Sequence, residues 1–295
     1  MEMNVQEPVS IKYMQVINVC DTETIQSSDI LSVEEPLEIR IIYGAKNERK
    51  QKNISVTMRT PGNDVELAVG FLFTEGVITA YENLKKVYHM DMNCSFQKEN
   101  IIVVELVENF MPHLNQSDRN FYTTSSCGVC GKGSIQSIRT VSIFQHIDKQ
   151  PVALCATIFY KLPQKLREAQ SDFSATGGIH ASGLFSIHGE LQLLREDVGR
   201  HNALDKLIGA ALMDHLLPLN QYILLLSGRA SFELIQKAAM AGISVVAAIG
   251  APSSLAVDLA KEFDMTLLGF LKEGRFNVYH LGKNRFIPAA DEITG

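Results

Sequence analysis

Cys127-Gly128-Val129-Cys130, followed by Gly131-Lys132-Gly133-Ser134, sets two thiols three residues apart among glycines and beside a lysine. A glycine-rich backbone reaches conformations closed to other residues and lets a bulky partner come close. Lys132, and the N–H groups of a helix expected to start after the pair, would favour the thiolate, the form of cysteine that attacks sulfur. A thiolate that takes the outer sulfur of a donor persulfide becomes a persulfide in turn, a carrier that can pass this sulfur on. A second thiol at i+3 could hold, protect or resolve it. A lone CxxC is also compatible with zinc, with disulfide exchange and with a structural loop. Structural zinc usually has four ligands. Cys20, Cys94 and Cys155 stand apart along the chain and are expected to be packing residues, while His180 or His201 could complete a site without any spacing that requires it. Zinc deaminases place H-x-E or C-x-E ahead of P-C-x-x-C; no such acidic motif precedes the cysteine pair here, and Ser126 stands where the proline would be.

Two further segments crowd polar groups beside glycine. In Ser174-Ala175-Thr176-Gly177-Gly178-Ile179-His180-Ala181-Ser182-Gly183, the backbone is either a connection into a strand or a device that turns His180 toward a ligand. In Glu196-Asp197-Val198-Gly199-Arg200-His201-Asn202, Asp197 can cap the helix that follows. Arg200, His201 and Asn202 are harder to explain as caps, because positive charge opposes the helix dipole there unless an anion binds. A phosphate or guanine contact is the expectation for them, and Asp205 and Lys206 are expected on a solvated face. The turn Arg59-Thr60-Pro61-Gly62-Asn63-Asp64 is read as a β-to-α connection with a functional role left open.

The elements that must carry these groups follow from periodicity. Strands are expected over 12–19, 38–44, 54–60 and 101–107, with a helix after Asp64 that stops at Gly76. Residues 108–126 read as a long exposed loop delivering the chain to the cysteines. Strands at 183–188 and 191–195 flank a turn at His188-Gly189-Glu190. Then apolar strands at 222–227, 243–250 and 265–271 alternate with helices over 198–216, 232–242 and 253–263, the last capped by Ser253 or Ser254. That alternation implies an α/β chain with a parallel sheet covered on both faces. Ligands of such sheets sit beyond the carboxyl ends of the strands. Three loops are expected there, at 227–231, 250–254 and 272–275, bringing Arg229, Arg275 and two serine-started helices together as a cradle for phosphates.

The chain has 295 residues, 46% hydrophobic and 20% charged, a formal charge of −6 and a pI near 5.8. It can build a sizeable core, and its negative net charge argues against a broad surface for duplex nucleic acid while leaving room for a local basic pocket. No secretory signal or long apolar span is evident, so a cytoplasmic protein with no membrane partner is expected. Five cysteines at irregular spacing do not form a disulfide framework.

RTPGNDVELAVGFLFTEGVI, SSCGVCGKGS, TGGIHASGLF, EDVGRHNALDK, SGRASFELIQKAAMAGI and APSSLAVDLAKEFDMTLLGF occur in this order, and together they resemble the formate dehydrogenase accessory sulfurtransferase family, FdhD, from about residue 35 to residue 282. The resemblance implies a homodimer that accepts sulfur from a cysteine desulfurase as a persulfide. It passes the sulfur to molybdenum held by two molybdopterin guanine dinucleotides, Mo-bis(molybdopterin guanine dinucleotide), for formate dehydrogenase; a guanine nucleotide would mimic part of that cofactor. It implies a mixed fold: a cytidine deaminase-like three-layer αβα domain over 119–295, without the deaminase zinc, and a smaller N-terminal α+β domain over 1–118. The persulfide cysteine matches Cys127, and Cys130 matches a second cysteine of uncertain role. The cofactor-binding stretch matches Phe270-Leu271-Lys272-Glu273-Gly274-Arg275, to which the residue reading adds Arg229, His180, Arg200 and His201; no metal ligand is assigned. Two rivals remain: a non-catalytic carrier of the molybdenum cofactor, and a zinc-containing nucleotide-processing enzyme.

Overall fold

Residues 8–90, 100–114, 143–144 and 151–287 are described in the structure, a computed structural model. Alternating β-branched and polar residues build the N-terminal half. Strands β3 (Glu35–Tyr43), β4 (Lys50–Arg59), β5 (Leu84–His89) and β6 (Ile101–Leu106) form a four-stranded sheet in the order β4-β3-β6-β5. Only β3 and β6 run parallel. Leu37, Ile39 and Ile41 point one way from β3, and Ile102, Val104 and Leu106 do so from β6. They pack on helix α1 (Asp64–Thr74), which starts at a tight turn where Gly62 has φ +102° and Asn63 φ +58°. Gly76, at φ +73°, follows the end of α1 as expected of a glycine stop. A ribbon of two antiparallel strands, β1 (Ile11–Cys20) and β2 (Glu23–Ser32), precedes this sheet and forms a sheet of its own. Residues 108–114 carry no helix or strand, in keeping with the loop expected from 108.

In the second half a short β7 (Ala153–Cys155) leads into α2 (Ala156–Ala169) and α3 (Ser171–Thr176). Then come β8 (His180–Ser186), β9 (Leu191–Asp197), α4 (Arg200–Met213), β10 (Tyr222–Leu226) and α5 (Phe232–Met240). The chain continues through β11 (Val245–Ala248), α6 (Ser254–Glu262), β12 (Thr266–Lys272), β13 (Arg275–His280) and β14 (Arg285–Ile287). Six strands form one sheet, ordered β13-β12-β11-β10-β8-β9, and β14 pairs with β7. The expectation of a parallel sheet holds for β10, β11 and β12 and fails around them: β8, β9 and β13 run antiparallel to their neighbours. The cause is connection length. The turns at 187–190 and 273–274 are too short for a crossover, so each returns the chain as a hairpin.

Strand periodicity places the two cores. Ile223, Leu225, Val245, Ala247 and Leu268 face α2, whose Phe159, Leu162 and Leu166 complete a smaller cluster. Their neighbours Leu224, Leu226, Val246, Ala248 and Leu267 face α4, α5 and α6. That second cluster runs on through α1 to β3 and β6, so the two halves share one buried body. Its tightest point is the crossing of α1 and α4. A Cβ on Gly70 would stand 1.9 Å from the Asp205 carbonyl oxygen, and one on Gly209 1.9 Å from that of Glu66. No helix of the described residues is long and apolar enough to cross a membrane.

Asp205 and Lys206 overturn the expectation of a solvated face. Both are buried, because α4 is covered from Asn202 to Leu212, and each finds an opposite charge. Lys206 Nζ lies 2.8 Å from Asp197 Oδ2, and Asp205 pairs with Lys237 of α5. Cys20 and Cys155 also depart from the expectation of packing residues: Cys20 is exposed at the tip of the β1–β2 ribbon and Cys155 is half-buried. Cys94 lies outside the described residues.

Candidate functional site

The carboxyl ends of β10, β11 and β12 continue their hydrogen bonding past the strands. Gly250 N donates to Gly228 O (3.0 Å), and Phe270 N donates to Gly250 O (3.1 Å). Ala230 N donates to Ala251 O, and Ser253 N to Ala230 O. The loops 227–231 and 250–254 are therefore stacked backbone on backbone, and their glycines are what allows it. A Cβ on Gly250 would meet Arg229 N and Cα at 3.0 Å. Phe270 takes φ +52° at an irregularity of the β12–β13 pairing, which leaves its ring partly exposed and returns Leu271 to full burial against α2.

Three helices start at this edge. α4 follows β9, α5 follows the loop after β10, and α6 follows the loop after β11. Ser253 caps α6 by accepting from Ala256 N at 3.2 Å. Ser231, at the same position of α5, makes no such cap. Its hydroxyl lies instead 3.4 Å from His201 Nε2, which is 3.1 Å from Glu233 Oε2. His180 pairs across the hairpin with Asp197, and its ring stands 3.4 Å from where a Gly228 Cβ would be. Arg200 Nε is buried without a hydrogen-bond partner among the described residues. An orphaned cationic donor in the first turn of a helix is what an anionic group would satisfy.

The surroundings of His180 favour its neutral form. Burial lowers its pKa below 6.5, and the charges of Arg200 and His201 lower it further, against Asp197. The folded value lies below the unfolded one, so the associated stability is full above pH 6.5 and is lost as the pH falls through the folded value. In an NMR titration the His180 ring is expected to turn over below pH 6.5, and Arg200→Ala is expected to move that midpoint upward. A midpoint unmoved by the exchange would show that Arg200 does not face the ring. Burial, the larger cause, remains, so the recovery is partial.

His180, Arg200 and His201 thus gather at the 227–231 loop, with Ser231 and Glu233 as partners that sequence reasoning missed. The signal available was a serine two residues before a glutamate at a helix start, a pattern common to ordinary caps. Arg229 is exposed on the same loop. Phe270 stands on the same edge at β12, three strand spacings or about 14 Å from β8. Lys272, Glu273, Gly274 and Arg275 are exposed but form the tip of the β12–β13 hairpin, Gly274 at φ +74°, and not a loop entering a helix. Asn202 is not free for a ligand: its amide donates to Met58 O (2.7 Å) and its oxygen accepts from Thr57. The Arg59 turn is a brace. Arg59 holds Asp64 through two bonds of 3.0 and 2.9 Å, and Thr60 binds Asp197, Val198 and Lys206, fixing the segment before α4. Cys127 and Cys130 lie outside the described residues.

Known proteins resemble this chain over nearly all of its length. A sulfur carrier protein FdhD of Streptomyces avermitilis is 46% identical over 286 residues, covering 95% of this chain and 97% of that one. The protein of the same name from Saccharolobus solfataricus is 36% identical over 271 residues, covering 92% and 96%. A crystal structure from Desulfotalea psychrophila, described as a formate dehydrogenase accessory protein, has the same fold, with a TM-score of 0.63 at 23% identity over 92% of this chain and 97% of that one. The family model FdhD/NarQ matches residues 33–286, and the chain belongs to that family.

Proposed function

We propose that this chain is a sulfurtransferase of the cytoplasm that carries sulfur on Cys127 to a molybdenum cofactor. The observation that carries the reading is the Cys127–Cys130 pair among glycines in a chain 46% identical to a named sulfur carrier. The Cys127 thiolate attacks the outer sulfur of a persulfide on a cysteine desulfurase. The donor's S–S bond breaks, the desulfurase leaves as thiolate, and Cys127 keeps the sulfur as its own persulfide. Delivery of that sulfur as sulfide breaks the new S–S bond and takes two electrons, supplied either by the metal or by Cys130 as it closes a disulfide on Cys127. The acceptor is Mo-bis(molybdopterin guanine dinucleotide), destined for formate dehydrogenase.

The strand edge supports an elongated anionic substrate. Three helix starts, the orphaned Arg200 donor and the exposed Arg229 suit phosphates, and Phe270, about 14 Å away across the sheet, offers a ring to a base or a pterin. Groups so far apart serve a long ligand better than a single small anion. Intact-protein mass spectrometry without reductant, after incubation with an active cysteine desulfurase and cysteine, is expected to show a gain of about 32 Da mapping to Cys127, as its thiolate chemistry requires. Cys127→Ala is expected to abolish the gain while guanine nucleotide binding persists. No gain in the wild type, with the desulfurase shown to bind, would leave a cofactor-binding chaperone as the better account.

A further inference from the structure

A glutamate stands where an anionic substrate should meet only cations. Glu233, in the first turn of α5, reaches across to α4 and places Oε2 3.1 Å from Nε2 of His201, both side chains being half-buried. Ser231 turns to the same pair. Its hydroxyl lies 3.4 Å from His201 Nε2 and 3.5 Å from Glu233 Oε2, which leaves the start of α5 without a side-chain cap. Acidic residues are ordinary in a first turn, where they answer the helix dipole, but this one faces a histidine. In the same turn of α4 as that histidine, Arg200 Nε is buried without a hydrogen-bond partner among the described residues, which marks the place an anion would take.

The pairing decides what the other ring nitrogen can do. An ionised carboxylate accepts and does not donate, so Nε2 of His201 carries the proton shared with Glu233. Nδ1 makes no hydrogen bond among the described residues and is not sealed from solvent. In a neutral ring Nδ1 then holds a lone pair, which repels a phosphate oxygen. In the imidazolium it holds an N–H, which donates to one. The other charged or titratable groups around the ring are Arg200 of the same turn and His180 of β8, whose titration feels both. Asp197 and Asp205, four residues to either side of His201, are each paired with a lysine, Lys206 and Lys237. Arg229 is exposed on the loop before α5.

We propose that Glu233 is a positioning residue for substrate binding: by accepting the Nε2 proton of His201 it fixes Nδ1 as the atom that donates to a phosphate oxygen of the substrate, with the ring an imidazolium in the complex. The role rests on the reading of the strand edge as a site for the phosphates of a guanine dinucleotide. Glu233 and the anion favour the same charged ring from opposite sides, so a ring that is neutral before binding takes a proton from solvent onto Nδ1 as the substrate arrives. No bond of the substrate is made or broken. His180 is expected to stay neutral, since burial and the charges of Arg200 and His201 oppose its proton. The sign of one substitution separates a positioning residue from a bystander. A carboxylate that merely stood near the phosphates would repel them, and neutralising it would tighten binding. A carboxylate that sustains the imidazolium makes the same exchange loosen it.

Calorimetry of guanosine diphosphate binding to the full chain, in buffers of different ionisation enthalpy, tests this. At about pH 8, above the range in which imidazoles ordinarily charge, about one proton is expected to be taken up per nucleotide bound. Glu233→Gln keeps an acceptor for Nε2 and removes the charge, and is expected to weaken nucleotide binding about tenfold at that pH. Imidazole nitrogen NMR of the wild type is expected to show His201 protonated on Nε2 alone without nucleotide and on both nitrogens with it, His180 remaining neutral throughout. Should Glu233→Gln fail to fold, these ring signals decide. No nucleotide binding at any pH would remove the strand-edge site and this role with it. Binding without proton uptake, uptake on His180 in place of His201, or a Glu233→Gln variant that binds as tightly as the wild type or more so would overturn the proposal and leave the site standing.

Discussion

Lys237→Met is expected to lower the stability of the chain by about 3–5 kcal/mol, the cost of leaving a buried charge without its partner. Lys237 Nζ lies 3.0 Å from both carboxylate oxygens of Asp205, 2.9 Å from Thr74 Oγ1 and 3.3 Å from Glu75 Oε1. These residues belong to α5, α4 and the end of α1, so one ammonium group ties three helices inside the shared core. Its removal leaves Asp205, 1% exposed, with the Thr74 hydroxyl as its remaining donor among these four groups. Against a total of about 5–15 kcal/mol for an ordinary domain, the loss is a large share. Urea denaturation should show it as a lower midpoint at unchanged slope. Adding Asp205→Leu to Lys237→Met should recover most of the loss, since an apolar pair needs no counter-charge. A single variant with the wild-type midpoint would sink the argument.

Gly209→Ala sets two effects against each other, and the clash is expected to win. Alanine is favoured over glycine inside a helix by about 1 kcal/mol. The added Cβ would lie 1.9 Å from the Glu66 carbonyl oxygen, which belongs to the backbone of α1 and cannot rotate aside. The helices must separate, and overpacking of this kind costs about 1–3 kcal/mol or more. With about 2–4 °C per kcal/mol for a protein somewhat smaller than this one, a melting point several degrees lower is expected in a calorimetric scan. A melting point that rises would mean that α1 slides along α4 at little cost.

The architecture was legible wherever burial on one or two faces wrote a simple period. The strands at 222–227 and 265–271, the helix after Asp64 and the glycine stop at Gly76 all have their counterparts. β2 was not legible, because ETIQSSDILS alternates too weakly to mark a buried face. α2 was missed although Phe159, Leu162 and Leu166 have helical spacing, since Pro163 interrupts the pattern. At the site, the convergence of the 227–231 and 250–254 loops followed from the order of strands and helices. The role of 272–275 did not, because a two-residue return looks the same in sequence as an entry into a helix. Asp205, Lys206 and Asn202 show the harder limit. Their partners lie 32, 9 and 144 residues away, and no local pattern distinguishes a charge paired at that range from one left in water.

The shared core has a consequence for synthesis on the ribosome. β3, β6 and α1 share one buried cluster with α4, and roughly 125 residues separate the end of α1 from the start of α4. At about 5–20 residues per second, the N-terminal sheet waits on the order of 6–25 seconds for the helix that closes it. During that interval Leu67, Leu72 and Phe73 have only their own sheet for cover, and the nascent chain is a natural client for chaperones that hold exposed apolar segments.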